Sequence, residues 1–195
     1  IPTMRPVLPW LALIDDKVRE RLRKIAPEVL FEGGDPSSLP LSVRRELLFE
    51  VCEQIEAEVS GLGATSYSAV QRFANHDISN DIRALLEKYA ANDELRGFLV
   101  RMIWLGRLKE LLPEAIQIAK SLDNSKYTRI AAFRAVAQLG DARIAQDLRT
   151  HFLHESDELD REWLAELVSE TEPAPQNCEW LLTALGKTKT KAKHS

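Results

Sequence analysis

The sequence repeats its arrangement of apolar and arginine residues about every 33 positions, and this repetition limits the possible folds more than any other feature. Arg96, Arg129 and Arg161 lie 33 and 32 residues apart, each inside a segment with helical periodicity. Gly106 and Gly140 follow the first two of these segments, where a glycine commonly ends a helix. One pair of helices cannot bury its apolar face alone, whereas stacked pairs form a continuous core. The spacing therefore predicts a solenoid of stacked helical hairpins.

Helical periodicity extends over nearly the whole chain, and no segment alternates apolar and polar residues as a strand does. The first predicted helix, 10–25, places Leu11, Ile14, Val18, Leu22 and Ile25 on one face. Further helices are predicted at 42–59 (capped by Ser42), 68–74, 77–89 or 79–89 (opened by Asp77 or Ser79), 93–106, 109–122, 125–139, 142–153, 157–170 and 175–185. The predicted fold class is all-α.

This pattern divides the chain into three parts. We expect an N-terminal helical region and cap over 1–75 and helical repeats over 76–186. The repeats are three stacked pairs at 77–107, 108–140 and 141–171. Residues 187–195 carry four lysines and no acid, which predicts a basic, disordered tail.

The middle repeat resembles the second helix of a HEAT repeat. Asp123-Asn-Ser-Lys-Tyr-Thr-Arg-Ile-Ala-Ala-Phe-Arg-Ala-Val-Ala-Gln-Leu-Gly-Asp141 has the family's Asp, its hydrophobic–Arg pair, Ala at helical spacing and a closing Leu-Gly. Pro113 lies where the family often places a proline. The resemblance covers about half the chain: it is good for 108–140, fair for 77–107 and weak for 141–171.

The HEAT resemblance implies roles for two sets of residues. In that family, repeat Asp and Arg side chains form a structural ladder between neighbouring units, which here implies Arg96, Asp123, Arg129 and Arg161. The second helix of each pair is expected to line a concave side that presents Arg101, Arg134, Gln138, Glu162 and Glu166. Such a surface favours a protein partner over a small molecule.

The front half resembles a different group of proteins in its order of motifs. The segment 27–48, a short helix and then paired helices are similar to the helical region that follows the nucleotidase module of bacterial NACHT-type STAND NTPases. These are large switch proteins. The resemblance implies a helical part of a larger NTPase, or a stand-alone relative of that part, with a neighbouring domain as its partner.

Charge and composition exclude several classes. No apolar run reaches the ~18 residues of a membrane span, the N-terminus lacks the order of a signal peptide, and two cysteines are too few for a disulfide scaffold. We therefore expect a soluble, cytoplasmic protein without membrane contact. The net charge of −4 and a pI near 5.7 make a nucleic-acid partner unfavourable.

The acidic charge is concentrated near the C-terminus. Residues 155–179 contain nine acids and one base, yet their apolar residues keep a helical stripe. We expect a folded terminal repeat with an acidic outer face that includes Glu158, Glu162 and Glu166. This face is either a solubility cap or a docking site for a basic surface.

The sequence contains no complete motif for phosphate binding, metal binding or nucleophilic catalysis. Gly186-Lys187-Thr188 lacks the earlier glycine of a phosphate-binding loop, because position 181 is leucine. His151 and His154, near Glu155 and Asp157, are weak metal candidates and are read as a surface pair. Cys52 falls on a buried stripe, and Cys178 has no histidine nearby. The sequence thus predicts a non-catalytic interaction or regulatory module with no cofactor.

The alternative is an enzyme built on a HEAT scaffold. Trp104, Trp163 and Asp160 are the residue types used by HEAT-like DNA alkyl-base glycosylases, but the low pI argues against a DNA substrate, and the tryptophans are expected to pack between helices. HEAT-repeat deoxyhypusine hydroxylases hold iron with several His-Glu pairs, whereas this sequence has only His154-Glu155. A cluster of convergent His, Asp or Glu side chains would favour the enzyme.

Overall fold

Helices and short turns build the described part of the molecule. A computed structural model describes residues 4–57, 66–155, 159–169, 171 and 173–188, in which no β-strand occurs beyond one isolated bridge between Leu159 and Thr188. The α-helices are α1 (Leu8–Ile14), α2 (Asp16–Ile25), α3 (Pro27–Glu32), α4 (Leu41–Glu56), α5 (Tyr67–Phe73), α6 (Ser79–Lys88), α7 (Asp93–Leu105), α8 (Leu112–Lys120), α9 (Lys126–Leu139), α10 (Ala142–Glu155), α11 (Arg161–Ser169) and α12 (Pro175–Gly186). Short 3-10 turns occupy Pro36–Ser38, His76–Ile78 and Lys109–Leu111.

The helices stack as successive pairs. α6 pairs with α7 and α8 with α9, while α9 also packs against α7 of the preceding pair. α10 and α11 each contact α9, and they meet each other through the rings of Phe152 and Trp163. α4 and α5 lie against α7 on the N-terminal side, and α12 contacts both α10 and α11 on the C-terminal side. α1, α2 and α3 pack on one another beyond α4. The all-α, solenoid-like fold predicted from the periodicity is confirmed.

Large aromatic side chains fill the core at both ends of the stack. Phe31 packs against Phe73 and Phe98, with ring centroids 4.4 and 5.7 Å away. Further along, Phe152 lies 4.6 Å from Trp163 and 6.0 Å from Phe133. The first cluster joins α3, α5 and α7, and the second joins α9, α10 and α11, so burial of these rings stabilises the stacking as well as the helices.

Helix ends form where the local sequence supplies the missing hydrogen bonds. Asn92 and Ser125 each cap a helix through the side chain, accepting from the amides of Leu95 and Thr128 at 3.1 and 3.3 Å. Gly106 ends α7 with a negative φ, and a Cβ there would lie 2.5 Å from the Cβ of Ala74. Glycine is therefore needed at 106 for close approach to α5, not for backbone freedom.

The predicted helix over 10–25 is wrong. The chain forms α1 and α2 instead, and between them Asp15 adopts an extended conformation. Its carboxylate accepts hydrogen bonds from the amides of Lys17 and Val18, which starts a new helix and shifts its register. Ile14 and Ile25, which the prediction placed on the same apolar face as Leu22, are 82% and 68% exposed, whereas Leu22 is buried.

Two other predicted starts need correction. α4 begins at Leu41 after Pro40, without a side-chain cap from Ser42. The helix predicted to open at Asp157 begins at Arg161, because Asp160 accepts from the amides of Glu162 and Trp163. Asp157 and the glycines predicted to end α4, at 61 and 63, lie outside the described residues.

No helix within the described ranges combines the length and the apolar character needed to cross a membrane.

Candidate partner-binding groove

A groove of about 560 Å³ crosses the second helices of the pairs. Its walls come from α7, α9 and α11, and Tyr67 at the start of α5 closes one end. Arg101 on α7 and Arg134 on α9 lie 33 residues apart, and Glu166 on α11 follows 32 residues later. Because the pairs repeat at this spacing, equivalent positions of successive helices meet in one groove. We call this surface the second-helix groove.

The N-terminal ends of α7 and α9 approach closely at the floor of the second-helix groove. A Cβ added to Gly97 would lie 3.0 Å from the Oγ1 of Thr128. That hydroxyl donates to the carbonyl of Asp93 at 3.3 Å, and the Asp93 carboxylate accepts from the amide of Ser125 at 2.8 Å. These bonds link neighbouring pairs and fix the width of the groove.

Arg134 is held rigidly in the middle of the second-helix groove. Its Nε and Nη2 donate to the two carboxylate oxygens of Glu166 at 2.8 and 2.6 Å. The guanidinium also lies 5.0 Å from the ring centroid of Trp104, which meets Tyr67 edge-on at 5.5 Å. The hydrogen bonds to Glu166 raise the pKa of Arg134 further above its ordinary value. A fixed planar cation of this kind recognises a ligand without first losing side-chain entropy.

Arg101 is partly buried in the second-helix groove. Burial lowers the pKa of Arg101, and this effect exceeds the opposing influence of nearby Tyr67 and Glu94. Removing a guanidinium from water strengthens its interaction with any acceptor that reaches it. Arg101 is therefore a strong electrostatic feature of the second-helix groove.

Two exposed tyrosines flank these charges. Tyr67 and Tyr127 are 50% and 69% exposed although both line the second-helix groove. Beside Tyr127, Lys126 donates to Glu162 at 2.5 Å and to Asp160 at 3.4 Å, which connects α9 to α11. Exposed tyrosine beside ordered charges is the composition that protein interfaces favour.

The predicted groove residues are only partly brought together. Arg101, Arg134, Glu162 and Glu166 line the second-helix groove, whereas Gln138 is exposed near the end of α9 and does not line it. Glu158 lies outside the described residues. Sequence reasoning missed Tyr67 and Tyr127. A signal was present, because each tyrosine follows a capping serine within two residues and lies outside the apolar stripe.

The four residues predicted to form a ladder do not share one kind of contact. Arg96 donates to the carbonyl of Ala90 in its own pair at 2.9 Å. Arg129 donates to the carbonyl of Ala119 at 2.9 Å and also forms an ion pair with Glu155 at the end of α10. Asp123 contacts Ser121 in its own loop. Arg161 is exposed at the start of α11.

Other ion pairs connect neighbouring units at a spacing close to one repeat. Arg44 contacts Asp77, and Arg45 contacts Asp81 at 2.7 Å, which joins α4 to the unit that contains α6. Arg83 on α6 contacts Glu114 on α8 at 2.5 Å. None of these residues lines the second-helix groove, and the sequence pattern did not identify these links.

The residues considered for metal binding or catalysis are wholly or partly buried, exposed to solvent or engaged in capping a helix. His151 is half-buried with its ring against Phe152, and His154 is exposed. Trp163 is buried, and Asp160 caps α11, where hydrogen bonds from backbone amides and Lys126 lower its pKa despite partial desolvation. Across the described part of the chain, no group of three or more His, Cys, Asp or Glu side chains is arranged to hold a metal ion.

One family model matches the sequence. Residues 80–169, which run from the start of α6 to the end of α11, match the model of HEAT repeats. Repeats of this family commonly mediate protein–protein interaction. No curated protein and no solved structure gives a significant match.

Proposed function

We propose that this chain is a non-catalytic interaction or regulatory module whose second-helix groove binds an extended segment of a protein partner. One observation carries the proposal: Arg134 is fixed between Trp104 and Glu166 next to the exposed rings of Tyr67 and Tyr127. Interfaces draw most of their binding energy from such arginine and tyrosine side chains. The HEAT match over α6 to α11 supports the same role.

The charges of the second-helix groove favour a basic segment. Four acids (Asp93, Glu94, Glu162, Glu166) line it against two arginines, so its formal charge is negative. Lys126 Nζ already lies 5.2 Å from the ring centroid of Tyr127. The remaining exposed surface of Tyr127 and that of Tyr67 suit a lysine or arginine side chain of the partner, which cation–π contact attracts. A phosphate-rich partner would meet net repulsion, which supports protein over nucleic acid.

A peptide-display selection followed by calorimetry tests the proposal. Selection against the folded chain should enrich basic peptides with apolar positions. Tyr127→Ala combined with Glu94→Lys should weaken the selected peptides about tenfold or more, because one contact ring and one attracting charge are lost. Glu87→Lys, an exposed change on α6, is the matched control and should leave affinity unchanged. Equal affinity for the groove variant and the control would refute the second-helix groove as the site.

Salt provides a second readout of the same proposal. Attraction between the acidic groove and a basic segment is screened over ~8 Å at physiological ionic strength. Added salt should therefore slow association of the selected peptides more than it speeds dissociation. Affinity and association rate that ignore salt would contradict a basic partner.

We further propose that this module is part of a longer polypeptide. We infer that α3, the turn at Pro36–Ser38, α4 and the paired helices form the helical region that follows a nucleotidase module in a NACHT-type switch protein. In that setting the bound segment comes from a neighbouring domain of the same polypeptide. An antibody raised against this chain should detect a protein well above 22.1 kDa in the source cells. A single band at that mass would refute this setting while leaving the groove proposal intact.

A further inference from the structure

An apolar cleft lies at the C-terminal end of the stack, away from the second-helix groove. It has a volume of about 470 Å³ and lies between the end of α11, the segment after it and α12. Its lining is nearly all apolar: Val168, Pro173, Ala174, Pro175, Cys178, Trp180 and Leu181, with Thr171 and Asn177 as the polar members. Beside it on α12, Leu182 and Leu185 are 70% and 52% exposed. We call this surface the α12 cleft.

The repeat geometry explains why this face is apolar. α12 contacts α10 and α11 as the first helix of a further pair would. In the middle unit the second helix covers the first, because α9 packs along α8, and α7 likewise contacts α6. Among the described residues after α11, no second helix covers α12. The sequence 187–195 contains no apolar residue larger than Ala192, so it does not supply an apolar stripe.

The opposite end of the molecule exposes an apolar helical stripe. Val7, Trp10 and Ile14 are 43%, 57% and 82% exposed, and their spacing places them on one face of α1 and its preceding residue. Pro9 and Ala12, on the opposite face of α1, are buried. We call the three exposed residues the α1 stripe. Apolar anchors at such spacing are how an amphipathic helix occupies a groove.

The two ends also carry opposite charge. Residues 4–25 contain six basic and three acidic side chains, whereas residues 159–188 contain two basic and six acidic ones. Attraction between these ends brings the α1 stripe toward the α12 cleft of another copy, and repulsion disfavours contact between two like ends.

We propose that the α12 cleft binds the α1 stripe of a second copy, so that the chain associates head to tail. The α1 helix of one copy then covers α12 of the next and continues the helical stack. Because the two surfaces differ, the contact is heterologous: each copy keeps one unused end, and association continues into longer oligomers rather than closing as a symmetric dimer.

Light scattering of the whole chain during size-exclusion chromatography tests this proposal. The wild-type mass should rise continuously from micromolar to submillimolar concentration, and salt should reduce it. Trp10→Glu in the α1 stripe and Leu182→Glu beside the α12 cleft should each raise the apparent dissociation constant about tenfold or more. Leu122→Glu changes a leucine that is 72% exposed but lies outside both surfaces, so it should associate like the wild type.

Mixing the two disabled variants separates this arrangement from others. The Trp10→Glu chain retains its α12 cleft and the Leu182→Glu chain retains its α1 stripe, so an equimolar mixture should form a heterodimer and stop there. Circular dichroism should show that each variant keeps the wild-type melting temperature, because both residues are exposed. A wild type that stays monomeric, a mixture that stays monomeric, or association that survives either change would overturn the proposal.

Discussion

Alanine residues set the distance between helices in the middle of the molecule. Ala115 and Ala119 on α8, and Ala132 and Ala135 on α9, are completely buried. Their small side chains let the two helices approach closely, since the interior is packed at crystal-like density. Periodicity places alanines on a helix face, but only the stacked neighbours determine which of them are enclosed.

Ala132→Leu should lower the free energy of unfolding by about 1–3 kcal/mol, because the added atoms have no space between the packed helices. Urea unfolding monitored by circular dichroism measures this change. Ala84→Leu, in an exposed position of α6, is the control and should stay within about 0.5 kcal/mol of the wild type. An unchanged Ala132→Leu protein would mean that α9 has a different rotation about its axis.

The two thiols should differ in reactivity. Burial raises the pKa of Cys52 to about 12, whereas Cys178 is exposed. Because the thiolate is the reactive form, a disulfide reagent at pH 8 should modify Cys178 rapidly and Cys52 only after denaturation. Cys178→Ser should therefore abolish the fast phase. A fast phase that persists in that variant would show that Cys52 is accessible.

At the scale of elements, local signals predicted helices well where caps and apolar stripes agree. The predicted bounds of α7 and α9 differ from the observed ones by about one residue, because Ser125 caps one end and Gly106 and Gly140 close the others. The N-terminal error arose where two signals compete: the apolar stripe continues through Asp15, but its carboxylate starts a new helix. A stripe alone does not reveal such a break.

One largely buried ion pair contributes to the contact between α9 and α10, beside the packing of Phe133 against Phe152. The side chains of Arg129 and Glu155 are each only 13% exposed, and the guanidinium lies 5.4 Å from the ring centroid of Phe152. Arg129→Ala should cost about 2–4 kcal/mol of unfolding free energy, since it leaves a carboxylate with little access to water. Arg143→Ala, exposed on α10, should cost less than about 0.5 kcal/mol.

A double-mutant cycle with Glu155→Gln isolates the pair itself. The coupling energy between Arg129 and Glu155 should be about 1–3 kcal/mol. A coupling near zero would show that packing against Phe152, rather than the ion pair, accounts for the effect of Arg129.

Acid should weaken the contact between the α6 and α8 units through Glu110. Partial burial acts to raise the pKa of Glu110, but hydrogen bonds from Ser79, its own backbone and His76 outweigh it, so the pKa is lowered. Its stabilisation is present above the ordinary pKa of glutamate and is lost as the pH falls through the lowered value. Glu110→Gln should therefore lose less stability than the wild type between neutral pH and about pH 3. Parallel losses in thermal melts would contradict this contribution.

At the scale of the whole molecule, the repeat spacing carried most of the predictive information. It predicted the order of pairs and placed Arg101, Arg134, Glu162 and Glu166, which line one groove. It did not predict that Tyr67 and Tyr127 line the groove, or that ion pairs such as Arg83–Glu114 connect neighbouring units. These depend on how far each pair is rotated against the next, and that rotation follows from side-chain packing rather than from periodicity. Gln138 shows a different limit, because it shares a helix face with Arg134 but lies one turn further along α9, outside the groove.

The central claim is that the second-helix groove is the binding surface, and amide chemical-shift mapping with a selected basic peptide tests it most directly. We predict that the largest shifts occur at Tyr67, Gly97, Tyr127 and Ala131, which line the groove, with little change along α6, α8 and α10. Shifts concentrated on those first helices, or confined to α1 and α12, would contradict the claim.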